Sequence, residues 1–128
     1  MADYEEREGE AADIAARLSY ELTERGLTVA VAESLTGGKI ANQLAAAPSS
    51  AEWFAGAVVC YWSEVKHLVL DVPPGPVISE EAVVTMAQNV SAMLGTNASI
   101  AASGAGGPDR QEGQEPGTTW IAVCIRGE

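Results

Sequence analysis

Basic residues are scarce: seven lysines and arginines face eighteen aspartates and glutamates, for a formal net charge of −11. A surface of that sign repels a phosphate backbone instead of displacing its counterions, so nucleic acid is excluded as the expected partner. Cysteine is nearly absent. Cys60 and Cys124 each stand alone in an apolar segment, a pattern of neither a disulfide scaffold nor a zinc site, and no metal cluster is expected. His67 is the only histidine, so a Ser-His-Asp triad would have to use it, and no partner for it is indicated. No apolar run approaches the roughly 18–20 residues that span a bilayer. The N-terminus is acidic, with no basic segment leading into an apolar run, which is neither a secretory signal nor a transit-peptide pattern. A cytoplasmic protein with no membrane partner is the expectation.

What is present suits an ordinary globular domain. The 128 residues are 47% hydrophobic and 20% charged, enough for one domain with a core that needs no staple. Residues 1–10 hold Asp3, Glu5, Glu6, Glu8 and Glu10 against Arg7 and read as a solvated acidic arm. Residues 11–128 form the domain proper.

Within it, Ala11, Ile14, Ala15, Leu18 and Leu22 recur at spacings of three and four and predict a helix to Arg25, stopped by Gly26. The β-branched run 27–32 predicts a buried strand. A helix follows over 39–47, a short turn of helix at 49–52, a strand over 56–61 and a helix over 63–70. Ser79 is placed as the N-cap of a helix reaching Gly95, with Glu80 and Glu81 in its first turn. Strands over 98–103 and 118–125 complete the set. Strands separated by helices predict a three-layer α/β/α sandwich, whose ligand site lies outside the carboxyl ends of the strands.

Three loops occupy those ends. Glu33-Ser34-Leu35-Thr36-Gly37-Gly38 runs into a helix and offers hydroxyls and bare amides to an anion or oxyanion, or is simply a tight turn capped by Thr36. It has neither the Walker spacing nor the full dinucleotide glycine fingerprint. Tyr61-Trp62-Ser63-Glu64-Val65-Lys66 places a lysine and a phenol just past a strand. In a partly desolvated site Lys66 would have a lowered pKa and accept a proton from a hydroxyl nucleophile; the alternative is an ordinary surface lysine. Ser103-Gly104-Ala105-Gly106-Gly107-Pro108 lets backbone approach a ligand closely. Together the loops predict a small-molecule pocket.

These segments, with 48–54 (PSSAEWF) and Pro116-Gly117-Thr118, resemble in order and spacing the CinA C-terminal domain family, competence/damage-inducible proteins that include nicotinamide mononucleotide deamidases. The resemblance covers about Glu21 to Val123. It implies a hydrolase that converts the carboxamide of nicotinamide mononucleotide to nicotinic acid mononucleotide and ammonia, through a serine and a lysine and without cofactor. Ser34 would attack, Lys66 would carry the proton, and amides near Gly37 and Gly38 would hold the oxyanion. Ser50, with Ser49 beside it, matches the family's paired serines as nucleophile or proton relay. Thr36 and Tyr61 would orient the amide or ribose, and Ser103 with Gly104 would line the nucleotide side. Leu35 stands where the family usually has cysteine, Trp62-Ser63 where it has serine-asparagine, and Ala105-Gly106 where it has isoleucine-alanine.

The family also continues past the position of Glu128 with a strand and a long helix bearing an arginine thought to meet the phosphate, so this fold is expected to lack them. Arg110 or Lys39 would then substitute. An exposed sheet edge there predicts a homo-oligomer. The alternative to the enzyme is a homologue that binds a nucleotide or a protein without turning it over.

Overall fold

The computed structural model describes residues 2–128. Met1, the first residue of the expected arm, lies outside the described residues. The chain runs α1 (Ala2–Arg25), β1 (Val29–Glu33), α2 (Lys39–Ala45), α3 (Ser50–Trp53), β2 (Phe54–Val59), α4 (Ser63–Leu70), α5 (Glu80–Leu94), β3 (Ala98–Gly104) and β4 (Thr119–Ile125). The expected elements are all found, with one extension. The acidic segment continues α1 back to Ala2 instead of standing apart as an arm. Asp3 and Glu5 lie in its first turn, where the helix dipole favours negative charge. Two contacts hold the opening turns of α1 against α2: Gln43 donates to the Glu8 carboxylate, and the Lys39 ammonium lies 5.7 Å from the centre of the Tyr4 ring.

The strands make one sheet in the order β2-β1-β3-β4, parallel except for antiparallel β3/β4. Central β1 is buried on both faces, and its period-two alternation divides the core. Val29 and Val31 pack with Ala15, Leu22, Leu44 and Trp53 beneath α1, α2 and α3. Ala30 and Ala32 face the other way, joining Val83, Met86 and Val90 of α5 and Leu70 of α4. The small side chains Ala30, Ala32 and Ala101 leave room for α5 to lie close on the sheet, and Ser79 caps it by accepting the Ala82 N–H at 3.2 Å. This is the expected three-layer arrangement. Ile121, Val123 and Ile125 of the edge strand β4 remain 65%, 60% and 43% exposed. Among the described residues no helix is long and apolar enough to cross a membrane.

Candidate active site

β1 ends by delivering Glu33 and Ser34, both buried, to the carboxyl edge of the sheet. The chain then turns through Gly37 and Gly38 at φ +60° and +104°, left-handed values that favour glycine at both. The turn is closed by hydrogen bonds. Gly37 N–H donates to Ser34 O at 3.0 Å, and Gly38, Ile40 and Ala41 donate to the Glu33 carboxylate at 3.1, 3.2 and 2.8 Å. The amides of Gly37 and Gly38 are therefore engaged within the protein and are not free to receive an oxyanion.

α4 starts four residues after β2 and carries Lys66 on the side that also buries Leu70, one turn further on. Lys66 is 3% exposed. Among the described residues its ammonium has no carboxylate within ion-pair distance. Burial pushes its pKa down, and the nearby Cys60, Glu112 and Glu64 only partly oppose this. The Cys60 thiol is pushed up by burial, with Lys66 acting against that rise.

The third wall comes from the connection between β3 and β4. Gly104 is required there: a Cβ would collide with the Thr118 carbonyl oxygen and stand 2.9 Å from Thr119 Cα. Beyond it the chain folds back on itself, Ala105 N–H donating to Thr118 O at 2.9 Å and Gln114 N–H to Gln111 O at 2.8 Å. Glu112, at the tip, reaches the segment before α5 and accepts the N–H groups of Val77 and Ile78 at 2.8 and 2.9 Å.

These three loops enclose a cavity of about 270 Å³, lined by Ser34, Leu35, Tyr61, Ser63, Lys66 and Gly104 together with Val77, Ile78 and residues of the β3–β4 connection. It brings a buried hydroxyl and a buried amine to one space, an arrangement suited to nucleophilic attack with proton transfer to the amine. Tyr61, 64% exposed, stands at the rim.

Other candidates from the sequence lie elsewhere. Ser103 is buried, but its hydroxyl donates to Val77 O at 2.7 Å and is not part of the lining. Ser49 has left-handed φ +57°, and Ser50 donates to Ala45 O at 2.8 Å; neither lines this cavity. The Thr36 hydroxyl is buried with no protein partner among the described residues. Arg110 pairs with Glu115 and Lys39 lies over Tyr4, so neither cation turns to the cavity. His67 places Nδ1 2.7 Å from Val72 O, a structural contact. Sequence reasoning missed Glu33 and Glu112. The first had a signal, a lone charge closing an apolar strand; the second had none, since its partners lie 34 and 35 residues away.

The chain resembles known proteins along most of its length. It is 43% identical over 112 residues to a competence-damage inducible protein of Geobacillus kaustophilus, a match covering 83% of this chain and 27% of that protein. A Bacillus cytotoxicus protein of the same name is 38% identical over 112 residues, covering 84% and 27%. The chain thus spans about a quarter of the length of these relatives. Among solved structures, the competence or damage-inducible protein from Enterobacter asburiae superposes with a TM-score of 0.89 at 34% identity, covering 92% of this chain and 78% of that one. The competence damage-inducible protein A of Klebsiella pneumoniae gives 0.88 at 33%, covering 92% and 77%. A sequence model of the CinA C-terminal domain matches residues 11–128, and by that match and these likenesses the chain belongs to the CinA C-terminal domain family.

Proposed function

We propose that the protein is a nicotinamide mononucleotide deamidase, an amidohydrolase of pyridine-nucleotide salvage acting in the cytoplasm without cofactor. The observation that carries this reading is Lys66, an amine buried in the cavity that Ser34 also lines and, among the described residues, without a carboxylate in ion-pair reach. Ser34 Oγ attacks the carboxamide carbon as its proton passes to Lys66 Nζ. The tetrahedral intermediate collapses when Lys66 returns that proton to the departing nitrogen, releasing ammonia and leaving an ester on Ser34. A water deprotonated by Lys66 then cleaves the ester. With the Gly37 and Gly38 amides engaged, stabilisation of the oxyanion falls to other donors that line the cavity, the Tyr61 hydroxyl among them. Ser50, whose hydroxyl is held by Ala45 O, is left without a direct part.

Coupled measurement of ammonia from nicotinamide mononucleotide, beside Ser34→Ala and Lys66→Met, tests the reading. Release by the wild type that both variants abolish supports it. One observation favours the second reading, a homologue that binds without turnover: among the described residues no arginine lines the cavity, so a mononucleotide phosphate finds no guanidinium there. Calorimetric binding of the mononucleotide with no ammonia released would decide for that alternative. We also propose that β4 pairs with a second copy of the chain, because among the described residues its outer edge pairs with no strand and Ile121, Val123 and Ile125 stay exposed on it.

A further inference from the structure

Glu33 is fully buried, carries no part in the chemistry above, and stands immediately before Ser34. Burying a carboxylate is costly unless its oxygens are satisfied. Here one oxygen accepts Gly38 and Ile40 and the other accepts Ala41, all backbone N–H groups at the start of α2. The main chain of the same residue is fixed as well: its carbonyl accepts the Cys60 N–H at 2.8 Å and the Cys60 thiol at 3.4 Å. One residue therefore clamps both ends of the Ser34–Gly38 turn, through its carbonyl to the end of β2 and through its side chain to α2. The carboxylate also occupies the positive end of α2, so substrate anions do not dock there.

We propose that Glu33 is a positioning residue for the Ser34 nucleophile: its carboxylate locks the turn that holds Ser34 Oγ against the cavity shared with Lys66. The inference rests on the amidase reading. A turn held from both ends keeps the hydroxyl within the narrow range of positions that attack requires. Glu33→Gln keeps the size but sets an NH₂ group, a donor, against one side of this ring of donors.

The test measures ammonia release and, separately, phosphonylation of Ser34 by a fluorophosphonate probe followed by intact mass. For Glu33→Gln, kcat is expected to fall at least about tenfold with KM within about threefold, and Ser34 labelling to slow by a similar factor. Ser99→Ala, which removes a buried bond to Ala87 O on the far side of the sheet, serves as control and is expected to lower Tm with kcat unchanged. If Glu33→Gln does not fold, Glu33→Asp, which retracts the carboxylate by one methylene, is read in the same way. Unchanged kcat and labelling in a folded Glu33 variant overturn the inference. Wild-type labelling that slows in the variant, with no ammonia from either, retains Glu33 and refutes the deamidase. A wild type that neither labels nor releases ammonia overturns both.

Discussion

Replacing Lys66 with methionine keeps an unbranched side chain as far as the ε carbon and removes the buried amine. General-base catalysis typically contributes two to four orders of magnitude, so kcat for ammonia release is expected to fall by at least about a hundredfold. Burial leaves Lys66 with a pKa below the ordinary value of about 10.4. The neutral amine is the active base, so wild-type kcat/KM should rise with pH through that lowered pKa. Stability changes in the same direction. Between the lowered folded-state pKa and about 10.4 the unfolded chain binds more protons, so wild-type stability increases with pH across this window and loses that increment as pH falls through the folded-state value. Each tenfold weakening of proton affinity in the fold costs about 1.4 kcal/mol at the low-pH side. Lys66→Met lacks this segment and is at least as stable as wild type at neutral pH. Urea denaturation from pH 7 to 10 and the ammonia assay on both proteins check the two halves. Ammonia release within fivefold of wild type in the methionine variant, or parallel stability profiles, would refute the reasoning.

Gly104→Ala forces a methyl group onto the Thr118 carbonyl oxygen and should destabilise the protein by about 1–3 kcal/mol in urea denaturation, with loss of the cavity wall. Ser103→Ala leaves the Val77 carbonyl without its donor; it should cost about 1 kcal/mol in stability while KM stays unchanged, and a large rise in KM would restore Ser103 to the substrate. Light scattering should give a mass above one chain, and Val123→Lys on β4 should shift it to the monomer. A monomeric wild type removes the strand-pairing proposal.

Much of the layout is legible in the residues because it is local. A helix such as α5 announces itself through Val83, Met86 and Val90 at helical spacing, with Ser79 as cap and Gly95 as stop. β1 is a short β-branched run, and the family motifs mark the three loops that line the cavity. For Lys66 the residues left two readings open, a desolvated base and an ordinary surface lysine, and its burial in the fold is what lowers the pKa. The continuation of α1 through 2–10 was not visible, since acidic residues suit a first helical turn and a solvated tail equally well; contacts with Lys39 and Gln43 on α2 accompany the helical outcome.

Hydroxyl direction was beyond the sequence altogether. Ser34, Ser50 and Ser103 all sit near strand or helix ends, yet Ser34 lines the cavity while Ser50 and Ser103 bond to Ala45 O and Val77 O. Hydrophobic periodicity, turn glycines and capping residues determined by themselves where the helices and strands lie, because these depend on neighbours within a few positions. Only the tertiary structure decided the strand order β2-β1-β3-β4, the burial of Glu33 against α2 and the reach of Glu112 to Val77. Those choices depend on which surfaces exclude water together and which distant amides remain to be satisfied, and no local pattern encodes either.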